Sequence, residues 1–357
     1  MTEFPKASGN YSPDRALPPV QAPTTGFLVQ LFVIPGLIVL AIVLVWLLFN
    51  WLAHMGSNPQ AELAALKLNN AGRWQSAYNL SEQLRQDQAG IIRGDPKFAA
   101  ELAGVLETSL AAEDNSGEAA KLRIFLCQAL GMFTVDQGVP ALIKAAETAV
   151  AKKDPMLHNV ALEALANTIV RNEAQQQLAK NANSPAAAIA PWPRQERILG
   201  VLQTAAANED LRVRTRAAYV LGEFSSPAAA QTLTGMLYDK SWQVRFNAAT
   251  SLAKRGDVAA IPVLVEMLEI QPRELVDELP PANDNWQSPP SNEDLRRMVV
   301  KNGLQATLAL RQANSAEPPA NLMAAIERLT ADPDRELADI ARDTQAALPR
   351  AAPAEAK

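Results

Sequence analysis

A single cysteine, Cys127, in 357 residues leaves no room for an internal disulfide or for a zinc site built on thiolates. Histidine is nearly as scarce: His54 and His158 are the only two, and they lie far apart in the chain, which leaves little for imidazole chemistry. Positive charge is not in excess either. The 33 Lys and Arg are outnumbered by 38 Asp and Glu, a net charge of -5, which argues against a protein that coats nucleic acid through clustered cations. No GxxxxGK[ST] loop occurs, and no GxGxxG follows a strand, because no segment reads convincingly as a strand. Composition therefore removes several enzyme classes before any pattern is read. Charged residues at 20% beside an apolar 48% still describe a chain able to fold.

The longest apolar run is FLVQLFVIPGLIVLAIVLVWLLF, Phe27 to Phe49, in which 18 of 23 residues are Leu, Ile, Val or Phe. At about −0.3 to −0.6 kcal/mol for each, insertion into a bilayer gains roughly 5 to 11 kcal/mol, less the penalties for Gln30, Pro35 and Gly36. A helix of that length reaches ~35 Å, enough for a hydrocarbon core of ~30 Å. Trp46 and Trp51 stand where an interfacial belt belongs, and His54 falls just outside it. Residues 27–52 are accordingly expected to span a membrane, preceded by a Pro-rich disordered tail, 1–26. That tail is too long and too polar for the basic start of a cleaved signal peptide, so an uncleaved anchor is expected. Pro35-Gly36 is expected to bend the helix. Lys6 and Arg15 before the span nearly balance Lys67 and Arg73 after it. The orientation stays open, with the cytoplasmic side carried forward for the rest of the chain.

Beyond the span the chain repeats itself. VRTRAAYVLGEFSSPAAAQTLTGML at 213–237 aligns with VRFNAATSLAKRGDVAAIPVLVEML at 244–268 at one offset of 31 residues. Leu221 matches Leu252, and Ala217-Ala218 match Ala248-Ala249. An earlier copy, LRIFLCQALGMF at 122–133, joins at an offset of 91, and GRWQSAYNL is a degenerate first copy. Small or apolar residues at i, i+4, i+5 and i+8 make one stripe of a helix. Each helix pair has two stripes to bury, so pairs must stack. About seven pairs follow, near 59–87, 95–133, 137–171, 194–223, 227–255, 258–312 and 318–347. They make an all-α solenoid over 59–348, with loop insertions at 172–193 and 271–291 and a frayed tail at 349–357.

The motif carried by Asp239, Val244, Arg245, Ala248, Ala249, Leu252 and Pro262 resembles the HEAT repeat, and more narrowly the HEAT-like repeats of phycobilisome lyases. With its N-terminal anchor, the chain looks like the membrane-anchored HEAT-repeat proteins of bacteria. The resemblance implies a polar ladder in which Asp239 pairs with arginines of adjacent repeats, Arg214 and Arg245. Asn208 stands at the Asp position before Arg214, and His158 occupies an Arg position. HEAT-like iron hydroxylases carry repeated His-Glu pairs, and none occurs here.

No catalytic, metal-ligating or cofactor-binding residue is assigned, and no cofactor is expected. Cys127 aligns with Ala218 and reads as a core thiol. Arg194, Arg197, Arg212, Arg214 and Arg216 form a group that a HEAT-like DNA glycosylase could use on DNA. The acidic chain and the anchor favour a structural or partner-facing role, with no nucleic acid expected. Arg216, Tyr219, Trp242, Phe246 and Asn247 lie on second helices outside the core stripe. Second helices line the concave face of a solenoid, so these five are the candidate partner-binding residues. Packing of Trp242 or Phe246 against the next repeat stays open beside that. The expectation is a single-pass membrane protein whose solenoid docks protein partners. A bilin-lyase-like or chaperone-like handling of a cofactor is the alternative that the resemblance implies.

Overall fold

The computed structural model describes residue 26 and residues 29–55, 58–68, 70, 72–87, 89–181, 195–275, 290–314 and 317–348. The expected tails and most of both expected insertions lie outside these residues. The chain divides into two units, Met1–Asn58 and Pro59–Lys357.

Among its described residues, the first unit holds the α-helix α1 (Ile34–Met55), entered through a π-helical stretch, Val29–Val33. Proline at position 35 has no N–H to donate, and the wider winding sits directly ahead of it. Val29–Phe49 has a mean hydropathy of 3.0 and no part of it is buried. This helix is long and apolar enough to cross a membrane.

Among the described residues, the second unit is an all-α solenoid of seven helical hairpins. These are α2–α3 (Pro59–Lys67, Arg73–Gln86), α4–α5 (Pro96–Ala111, Gly117–Leu130), α6–α7 (Val139–Ala151, Pro155–Asn181) and α8–α9 (Gln195–Ala206, Leu211–Gly222). There follow α10–α11 (Pro227–Met236, Trp242–Lys254), α12–α13 (Ile261–Glu269, Asn292–Ala313) and α14–α15 (Ala320–Leu329, Arg335–Ala347). Side-chain caps set the starts. Asp95 accepts from the amides of Lys97 and Phe98 ahead of α4, Ser116 from Ala119 ahead of α5, and Ser226 from Ala229 ahead of α10. Asp210, Ser241 and Asp334 do the same for α9, α11 and α15, each cap stabilising its helix by about 1 kcal/mol.

Each helix packs on its hairpin partner, and the second helices α3, α5, α7, α9, α11, α13 and α15 also pack on one another in series. Leu221 and Leu252 are fully buried, as are the alanine pairs 217–218 and 248–249. The shared register therefore delivers equivalent residues to equivalent interior positions. Glycine is required where second helices approach most closely. A Cβ built on Gly222 would lie 2.7 Å from that of Ser251, and one on Gly131, at the same register, would lie 2.8 Å from that of Ala164.

One boundary differs from the sequence reading. The first ten residues of the insertion expected at 172–193 continue α7 as helix through Asn181. NEAQQQLAKN contains good helix formers and neither Gly nor Pro, so nothing in it stops a helix.

Candidate functional site

The polar ladder occupies the turns between paired helices. Arg214 Nη1 donates to the carbonyls of Asn208 and Glu209, both at 2.9 Å, while its Nε reaches the Asp239 carboxylate at 2.8 Å. Arg245, one repeat later, donates through Nη1 to the carbonyls of Asp239 (2.8 Å) and Lys240 (3.0 Å) and pairs with Glu266. Arg123 donates to the carbonyls of Ser109 and Asp114, and Arg296 to that of Ile270 while pairing with Asp332. In each case a guanidinium satisfies turn carbonyls that helix geometry leaves without donors. A second set escaped the sequence reading. Arg171 donates to the carbonyls of Gly131 and Phe133 (2.7 and 2.6 Å), and Arg255 to that of Leu221 at 2.7 Å. Both tie the end of one second helix to the next.

Burial separates the five candidate partner-binding residues. Tyr219 is 43% exposed. Arg216 is partly exposed and engaged, with Glu163 at 3.4 Å and with Asn159 at 3.3 Å. Asn247 is half-buried and donates to the carbonyl of Gln243 at 2.8 Å. Trp242 and Phe246 are buried, and this corrects their reading as exposed anchors. Phe246 shares the register of Thr215 and not that of Arg216. It lies against Trp242 one turn earlier, with ring centroids 5.4 Å apart, and Trp242 borders a cleft with Pro262 and Val265 of α12. Two rings buried this far and packed on each other offer little surface to a partner.

The aromatic surface lies elsewhere on the second helices. Phe125 of α5 has the register of Arg216, and Tyr78 of α3 holds in GRWQSAYNL the place of Tyr219 in VRTRAAYVL. Tyr78 meets Phe125 edge-on at 5.3 Å, Trp74 stacks on Phe125 at 6.3 Å, and the Lys121 ammonium lies 4.9 Å over the Trp74 ring. Tyr78 is 46% exposed, and Trp74 and Phe125 are half-buried. The available signal was the register itself: the degenerate first copy still puts a tyrosine at the Tyr219 position.

The arginine group is electrostatically satisfied among the described residues. Arg197 pairs with Glu147, Arg212 with Asp210, Arg214 with Asp239 and Arg216 with Glu163; Arg194 lies outside the description. Cys127 is wholly buried, and burial pushes its thiol pKa up to about 12. His158 is buried at the arginine register of α7, and burial holds its pKa below the usual histidine value against a smaller upward pull from Asp210. Its Nε2 has no hydrogen-bond partner. His158 borders a cleft of about 480 Å³ together with Lys153, Asp154, Thr204, Asn208, Glu209 and Asp210. No group of three or more His, Cys, Asp and Glu that could hold a metal ion occurs among the described residues.

Comparison with protein families matches residues 198–278 to HEAT repeats. Comparison with curated proteins returns no match. Among solved structures, the YibA protein of Escherichia coli has 17% identity and a TM-score of 0.36, covering 81% of this chain and 92% of its own. A designed armadillo repeat protein has 16% identity and a TM-score of 0.36, with coverages of 82% and 99%. The CpcE–CpcF complex of phycocyanin lyase from Nostoc has 17% identity and a TM-score of 0.31, with coverages of 76% and 92%.

Proposed function

From a chain that carries HEAT repeats, we propose a protein-binding scaffold that α1 anchors in a membrane. The observation that carries this reading is the row of partly exposed aromatics on second helices: Tyr78 with Trp74 and Phe125 at one end, Tyr219 further along. Aromatic side chains that are half in water and half supported by packing offer large contact area with little rotamer entropy to lose. Between them the face presents Arg216, Glu163 and Asn159, a polar stretch suited to hydrogen bonds at the rim of an interface. The second-helix layer packs more closely than the first-helix layer from hairpin to hairpin, as the inner side of a bent stack does. An extended segment of a partner suits such a face.

The anchor confines the search to two dimensions and raises the effective concentration of whatever docks. Pairing of the arginine group with carboxylates weighs against a phosphate-binding surface. No residue is given a catalytic role, and the repeats are carried forward on the cytoplasmic side. A photo-crosslinking amino acid at position 78 or 219 of the full-length protein, introduced in intact cells, is expected to capture the same protein partner from both sites. The same group at Lys144, on the exposed surface of the first helix α6, is expected to capture none. Equal capture from position 144, or none from 78 and 219, overturns the second-helix face as the docking surface. Protease digestion of intact cells, with disrupted cells as the control, reads the side on which the repeats lie.

A further inference from the structure

We infer that the cleft beside His158 is a receptor for the arginine side chain of a protein partner. The ladder repeats a fixed geometry: the residues six and five positions before Arg214 offer its guanidinium their carbonyls, and the same is true of Arg245. His158 shares that register. Its amide donates to the carbonyl of Asp154, as Arg214 does to Asp210 and Arg245 to Ser241. Six and five positions before it stand Lys152 and Lys153, in a turn that Lys153 closes at a positive φ of 53°. The imidazole is shorter than a ladder guanidinium, and a cleft of about 480 Å³ opens beside it.

Three further features favour a guanidinium. Asp154, Glu209 and Asp210 line the cleft; Lys153 is the one cation in the lining and Arg212 pairs with Asp210 beside it, so carboxylates still exceed cations and the field attracts positive charge. Asn208 stands on the far wall at the register from which Asp239 holds Arg214. The unpartnered Nε2 of His158, a residue only 1% exposed, marks a polar position that the protein's own side chains leave unsatisfied. An arginine supplied from outside meets the carboxylates with its planar fork of donors; a lysine offers a point charge without the fork. This site is separate from the Tyr78–Tyr219 row, and its failure leaves that row untouched.

The test uses full-length protein in nanodiscs, with Nα-acetyl-arginine amide as the probe and the capped lysine and citrulline amides as controls, read by saturation-transfer NMR. Saturable binding of capped arginine, in the range of about 1 mM for a fragment of this size, is expected, with no binding of capped citrulline. His158→Arg places the chain's own guanidinium in the cleft, and it is expected to abolish binding while raising Tm. Asp210→Asn keeps a helix cap but removes a charge, and it is expected to weaken binding about tenfold. Absence of saturable binding, equal binding of citrulline, or undiminished binding by His158→Arg overturns the inference. Free L-arginine bound in preference to the capped amide overturns the partner side chain in favour of a small-molecule ligand. Should His158→Arg fail to fold, the Asp210→Asn comparison decides.

Discussion

At the scale of single residues, the chain shows how one register position can be satisfied in unlike ways. Arg214 and Arg245 meet turn carbonyls with a cation, whereas His158 meets burial by staying neutral, its pKa lowered chiefly by desolvation. A base whose folded pKa lies below its unfolded value near 6.5 binds fewer protons when folded. Stability from this group is thus complete above pH ~6.5 and is lost as pH falls through the folded pKa. Tm is expected to rise between about pH 5 and pH 7 at constant ionic strength, and His158→Gln is expected to flatten that rise. His54→Gln provides the control for the other histidine. Asp87, Asp114, Asp210, Asp294 and Asp334 have lowered pKa values and titrate below 3.8, outside the window. An unchanged slope in His158→Gln places the proton uptake elsewhere. The identity of this histidine's position was legible in the sequence because alignment gives register. Its cleft was not, because a cavity depends on how far the next hairpin stands away.

At the scale of elements, the helices and their pairing could be read before the structure because each carries its own signals: a cap, a stripe and a repeated spacing. The alanine pairs and Leu221 and Leu252 went where the stripe sends them. Trp242 and Phe246 did not, because a position just off the stripe is exposed or buried according to what the next hairpin brings against it. The same dependence hid the Trp74–Tyr78–Phe125 cluster, whose rings come from two helices in different hairpins. Close approach between second helices is equally a property of the pair. Gly222 faces Ser251, whose Oγ donates to the carbonyl of Ala218. Gly222→Ala improves helix propensity by up to about 1 kcal/mol, yet the added methyl has to displace the Ser251 backbone. Net destabilisation of about 1 to 3 kcal/mol is therefore expected by urea unfolding. Gly222→Ala combined with Ser251→Gly is expected to recover most of it, since the second change vacates the contested space. No recovery would locate the damage outside this contact.

At the scale of the whole molecule, two different solvents are written into one sequence. The helix Val29–Phe49 has no charged residue and no buried surface, whereas every hairpin after Pro59 alternates a buried stripe with charged, water-facing residues. Burial within the repeats is met hairpin by hairpin, with stability near a sum of nearest-neighbour interfaces. Removal of residues 1–58 is thus expected to leave the helical signal per residue and the Tm of the remainder unchanged. The shortened chain is expected in the soluble fraction, and the full-length chain in the membrane fraction after alkaline carbonate extraction. At about −0.3 to −0.6 kcal/mol for each of the 18 Leu, Ile, Val and Phe of Phe27–Phe49, the partition of this segment exceeds what a peripheral contact supplies, so high salt is not expected to release it. Release by carbonate would make α1 a segment that another protein covers. A fall in Tm on removal of residues 1–58 would mean that the repeats themselves cover it, and the separation of solvents argued from hydropathy would not hold.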